Sequence, residues 1–113
     1  MGLMVTRYSA VGASGNQYPL FFNLIGQEIP EDKEGIFLFC RNFKENWEVI
    51  YVGSGKVKYE TEKILKEGKV IEKGATHIYF HVDNDNESRF RKEADIIAGN
   101  QECYEPTGCN IRM

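Results

Sequence analysis

The chain has 113 residues, 42% of them hydrophobic and 12% aromatic, enough for one ordinary core and in the commonest size range for a single domain. Charged residues of both signs make up 27%, which excludes a disordered chain, a collagen and a coiled coil. The net charge of −3 argues against a dedicated nucleic-acid binder, which usually carries a basic surplus, but leaves room for a local basic groove. No apolar run approaches the roughly 18 residues of a membrane span, so no membrane partner is expected. No basic start precedes an apolar stretch, so no signal peptide is expected. Three cysteines, Cys40, Cys103 and Cys109, are an odd count, which favours reduced thiols and a cytoplasmic setting.

Residues 1–34 show no clear period. Gly12, Ser14, Gly15 and Asn16 read as a loop. Tyr18, Leu20, Phe21, Phe22, Leu24 and Ile25 are too apolar for a free tail, so an N-terminal arm packed on the domain is expected over 1–34. Residues 35–113 then form the domain proper. Residues 36–41 read as a central strand, because Ile36, Leu38 and Cys40 alternate with Phe37, Phe39 and Arg41 and leave both faces largely apolar. A polar turn over Asn42–Asn46 leads to a second strand, Trp47–Val52, and the pair makes a hairpin. Gly53-Ser54-Gly55 is expected to stop that strand. With Lys56 it looks like a phosphate loop, but Ile50 and Val57 stand where that motif needs glycine and a hydroxyl residue.

A helix follows over 57–67, with Ile64 and Leu65 inward and Gly68 as its stop. Val70 and Ile71 close a short helical turn. Thr76–Val82 is a strictly alternating strand, with Ile78, Phe80 and Val82 on one face and His77, Tyr79 and His81 on the other. Four residues along a strand span about 13 Å, too far for His77 and His81 to share one zinc ion. A last helix is expected over roughly 88–98, capped by Asn86 or Ser88 and ended by Gly99. Phe90, Ala94 and Ile97 would be its core stripe, with Glu93 on the border of that stripe. The order is β-β-α-β-α: an α+β domain with a small antiparallel sheet and helices packed on it. Residues 54–73 hold a surplus of two lysines over glutamates, a modest hint of a binding face, and Tyr79 and Tyr104 are candidate base-stacking aromatics.

Gly35-Ile36-Phe37, the hairpin, and Tyr51-Val52-Gly53 together resemble the GIY-YIG motif. The helix after them, a later helix with an internal glutamate, Glu93, and a tail with Pro106 and Asn110 fit that superfamily too. The resemblance covers about residues 33–111. Gly74-Ala75-Thr76-His77-Ile78, Glu93-Ala94-Asp95 and Cys109-Asn110 look like a group of small stand-alone GIY-YIG-like proteins. The family implies a β-β-α-β-α fold and, in active members, hydrolysis of a phosphodiester bond. A tyrosine helps activate water, an arginine stabilises the phosphate, and a glutamate holds a divalent metal.

Carried over, Tyr51, Asn110 and a substitute cation, Lys63, are the candidate catalytic residues. Glu93 is the candidate ligand of Mg²⁺ or Mn²⁺, which an active enzyme would need and a binding module would not. Phe37, Gly53, Lys58 and His77 are the candidate ligand-binding residues. Two roles depart from the pattern. The tyrosine of GIY is Phe37, which has no hydroxyl. The arginine's place is Thr61, with Lys58 and Lys63 nearby, and lysine lacks the bidentate fork that arginine offers phosphate. The resemblance therefore implies a catalytically impaired relative of metal-dependent endonucleases that binds nucleic acid or protein. The alternative is an active phosphodiester hydrolase using Tyr51, Glu93 and a substitute lysine.

Overall fold

The computed structural model describes residues 9–43 and 46–111, so positions 44 and 45 of the expected turn and the first eight residues of the arm lie outside the described residues. The architecture is α+β, a small antiparallel sheet with three helices packed on it. A two-stranded hairpin comes first, β1 (Ser9–Val11) and β2 (Gln17–Pro19). Then come β3 (Phe21–Leu24), β4 (Glu34–Phe43), β5 (Asn46–Lys56), α1 (Val57–Glu67), α2 (Lys69–Glu72), β6 (His77–Val82) and α3 (Asn86–Gly99). A 3₁₀ turn, Gln101–Cys103, leads into the tail. The main sheet runs β3-β6-β4-β5, with every neighbouring pair antiparallel.

The double apolar pattern of β4 makes it a central strand. Ile36, Leu38 and Cys40 enter one core, with Val49, Val52, Tyr79 and Ile96, while α3 and the β1–β2 hairpin cover that face. Phe37 and Phe39 enter a second core, with Ile50, Val57, Val70 and Phe80, beneath α1 and α2. A bulge makes this split possible. Phe39 pairs with Tyr51 and Cys40 with Val49, so Ile50 is an extra residue in β5. Ile50 and Tyr51 thereby both serve the α1 face, while Val49 and Val52 serve the α3 face.

β5 does not stop at Gly53-Ser54-Gly55 as expected; it runs on to Lys56. Gly53 leaves room for a neighbouring side chain instead of breaking the strand. Phe37 pairs with Gly53, and a Cβ there would lie 2.5 Å from Phe37 Cζ. α1 begins at once, as the Val57 N–H donates to the Lys33 carbonyl at 3.0 Å. It ends where expected, at Gly68, whose φ of 81° suits a residue without a side chain.

α3 departs from its expected orientation. Its cap is Asp85, which accepts from the Ser88 N–H at 2.8 Å, rather than Asn86 or Ser88. Phe90, expected in the core stripe, is 74% exposed, and Ala94 is exposed too. The inward stripe is Arg89, Glu93, Ile96 and Asn100, at the same helical spacing but mostly polar. Each polar member finds partners. Arg89 donates to the Asp83 carbonyl at 3.2 Å and to the Asn86 side chain. Glu93 accepts from Ser54, and Asn100 Nδ2 donates to the Ile96 carbonyl at 2.8 Å. Asp95 ties the N-terminal hairpin to this helix. It accepts from the Ser14 N–H at 2.9 Å, the Ser14 hydroxyl at 2.7 Å and the Tyr18 hydroxyl at 2.5 Å. Tyr79 is fully buried and takes no part in any surface. Among the described residues no helix is long and apolar enough to cross a membrane.

Candidate functional site

Tyr51 stands on β5, half-buried, its ring stacked on Phe37 at 6.2 Å and edge-on to Phe39 at 6.4 Å. It lines a cleft of about 420 Å³ whose other walls include Lys63 and Ile64 of α1, Lys69 of α2, and Cys109 and Asn110 of the tail. Glu60 and Glu67 stand on the α1 wall, so the lining mixes both signs. Burial pushes the Tyr51 phenol above its ordinary pKa, and the charges of Glu93, Glu67 and Glu60 push the same way. The phenol is therefore a neutral donor at physiological pH, not a ready base.

The tail segment that forms one wall also completes the outer edge of β5. The Cys109 N–H donates to the Ile50 carbonyl at 2.8 Å. Asn110 then uses its side-chain amide as a peptide group. Its Oδ1 accepts from the Val52 N–H at 2.8 Å, and its Nδ2 donates to the Val52 carbonyl at 3.0 Å. Asn110 shares the cleft with Tyr51, yet its amide is committed to the strand that carries Tyr51. Cys109 has a partly accessible thiol held above its ordinary pKa, chiefly by burial, with Lys73 opposing.

Glu93 lies elsewhere. Strand alternation puts Ser54 on the Val52 face of β5, the face covered by α3. The Ser54 hydroxyl donates to Glu93 Oε1 there at 2.8 Å. Burial raises the Glu93 pKa, opposed by the Ser54 bond and by the Arg89 charge. Arg89 is itself buried and lies 3.8 Å from Glu34. Tyr51 and Glu93 thus occupy opposite faces of the sheet, coupled by charge at a distance. Among the described residues no three His, Cys, Asp or Glu side chains converge on one point. The Glu93 carboxylate accepts from the Ser54 hydroxyl and lies within reach of the Arg89 charge.

Of the residues singled out in the sequence, Tyr51, Lys63 and Asn110 come together, with Phe37 and Gly53 packed behind the Tyr51 ring. Lys58 sits on the other flank of α1, 3.4 Å from Glu28. Thr61 is buried and donates to the Val57 carbonyl at 2.7 Å. His77 is on the α3 face, with Trp47 at 4.5 Å, Phe22 at 4.9 Å and the Thr76 hydroxyl at 2.6 Å. His81 bonds the Pro19 carbonyl and Lys92. The sequence reading missed Ile64, Lys69 and Cys109 as cleft walls. One signal was available: residues 60, 63, 64 and 67 share one flank of a helix, and that flank faces Tyr51. No family model matches this chain, and neither a curated protein nor a solved structure is significantly similar to it.

Proposed function

We propose that this chain is a GIY-YIG-like domain that binds nucleic acid at the Tyr51 cleft without cutting it. The observation that carries the non-cutting part of this reading is that Tyr51 lines the cleft on the α1 side, whereas Glu93 is bonded to Ser54 and does not line that cleft. Phosphodiester hydrolysis needs donors, a base and a charge acceptor gathered around one phosphorus atom. Here the phenol is kept protonated, the Asn110 amide is committed to Val52, and the place of the phosphate-binding arginine is a buried threonine. Removing even one such electrostatic donor costs about 10²–10³ in rate. What remains is a cleft with two lysines, two glutamates, a hydroxyl and apolar side chains, which suits binding better than turnover.

The test is nicking of supercoiled plasmid in Mg²⁺ or Mn²⁺ by the wild type and by Glu93→Gln, alongside binding of labelled oligonucleotides. The expected result is the same background nicking by both proteins and measurable binding weakened by Lys63→Ala. Metal-dependent nicking that disappears in Glu93→Gln would overturn the reading in favour of a hydrolase with Lys63 as its cation.

A further inference from the structure

One histidine outside the cleft joins three elements. His81 of β6 is half-buried, and both of its ring nitrogens have partners. Nδ1 lies 2.8 Å from the Pro19 carbonyl of β2, and Nε2 lies 3.0 Å from the Lys92 ammonium of α3. The partners fix the state of the ring. A carbonyl only accepts, so Nδ1 carries the proton; an ammonium only donates, so Nε2 is bare. The ring is therefore neutral and held as the Nδ1–H tautomer. The Tyr18 ring of β2 stands at a steep angle to it, 5.7 Å away. Beyond Lys92 comes Asp83, 2.9 Å from the ammonium, and beyond Tyr18 comes Asp95, which accepts from the phenol. Burial raises the Asp83 pKa, but the Ser88 hydroxyl, the Asp85 N–H and Lys92 outweigh it and hold the carboxyl far below its ordinary range. Asp95 is held low in the same way, against burial, by Ser14 and Tyr18. Burial and Asp95 together push the Tyr18 phenol up. With both carboxyls low and the phenol high, histidine is the side-chain type left in this cluster to change charge between about pH 5 and 8.

We infer that His81 is a pH-sensitive clasp, which joins β2, β6 and α3 while neutral and lets go of α3 when it takes up a proton. The incoming proton goes to Nε2, since Nδ1 already carries one. It removes the acceptor of Lys92 and sets two positive charges 3.0 Å apart. The Nδ1–H keeps the Pro19 carbonyl, now as a charge-assisted and stronger bond. Lys92 has room to retreat, because it lines a hollow of about 370 Å³ with Asn16, Tyr18, Ser88, Arg91 and Asp95, and its pairing with Asp83 draws it away from the ring. Arg91, the other cation of that hollow, is paired with Glu87 at 3.2 Å. The hairpin keeps its own hold on α3 through Asp95, so acid loosens the helix against the sheet without releasing it. The clasp lies on the α3 face, away from Tyr51, and is independent of what the cleft binds.

Side-chain nitrogen NMR of the full chain reads the ring directly. At about pH 8 His81 should show the Nδ1–H tautomer, with Nε2 at the shift of an unprotonated nitrogen. Amide-exchange protection in α3 over residues 91–96, normalised to that of β4, should fall about tenfold between about pH 8 and 5.5, the size expected for one lost charge-assisted hydrogen bond. His81→Gln supplies a donor and an acceptor that do not titrate, and should hold α3 equally at both pH values. Lys92→Met removes the repelled cation and should give the same flat profile. His77→Gln should keep the wild-type fall, which separates the clasp from the other histidine of β6. An Nε2–H tautomer at about pH 8, α3 protection that does not change with pH, a fall that persists in both His81→Gln and Lys92→Met, or one abolished by His77→Gln would each overturn the inference.

Discussion

Asn110→Ala should cost this protein stability, because the side chain closes the edge of β5. The native amide satisfies both backbone groups of Val52, at 2.8 and 3.0 Å. Val52 is buried, so truncation leaves an N–H and a C=O facing a space the alanine methyl cannot fill. A buried polar group left without its partner costs about 1–3 kcal/mol. Water reaching the sheet edge places each group near the low end, which gives about 2 kcal/mol for the pair. Against a typical total of about 5–15 kcal/mol the protein remains folded. Urea unfolding should show the midpoint falling by about 1 M with an unchanged slope. Amide exchange at Val52 should accelerate more than exchange at Leu38, its partner across the strand pair. Asn110→Asp keeps an acceptor for the N–H but loses the donor to the carbonyl, and should lose about half as much. A midpoint shift under about 0.2 M, with Val52 exchange unaltered, would refute the edge-closing role of this side chain.

Phe37→Tyr introduces the hydroxyl of the GIY-YIG motif that the sequence resembles, yet it should not create activity. Phe37 is 2% exposed and its Cζ points at Gly53, so the added hydroxyl would be buried without a partner. A loss of about 1–3 kcal/mol in urea unfolding and no gain in plasmid nicking are expected; a neutral effect on stability would contradict the packing described. His77 makes stability depend on pH. Burial lowers its pKa below the unfolded value of 6.5, so the unfolded chain takes up the proton first. That contribution is full above about pH 6.5 and is lost as pH falls through the folded value; His77→Gln should flatten denaturation midpoints measured between about pH 8 and 5. A wild-type profile identical to that of the variant would count against the buried neutral imidazole.

Much of the fold was legible because local and global preferences agree. The double apolar alternation of β4 requires two covered faces, and α1 has a clean stop at Gly68. The strict alternation of β6 places Ile78 and Phe80 in one core and Tyr79 in the other. The orientation of α3 was not legible, since Phe90, Ala94 and Ile97 make as good a helical stripe as Arg89, Glu93 and Ile96. Apolar character favours the first stripe. The second is stabilised by partners distant in the chain, Ser54 and the Asp83 carbonyl, which periodicity alone does not reveal. The glycines of 53–55 misled for a related reason: Gly53 accommodates the Phe37 ring, and a turn would show the same composition. At the site, chain order brings Tyr51 near Lys63, but only the bulge at Ile50 decides which face of the sheet Tyr51 joins.

Cys109 makes the cleft observable without altering it. The other two cysteines, Cys40 and Cys103, are fully buried, so Cys109 is the natural point of attachment for a thiol-directed label. Its raised pKa leaves little thiolate at neutral pH, which makes labelling slow, rising with pH, and sensitive to anything that enters the cleft. The rate of that single modification is a built-in occupancy gauge: a ligand seated beside Tyr51 shields the sulfur, whereas one bound on the opposite face beside Glu93 leaves it as reactive as before.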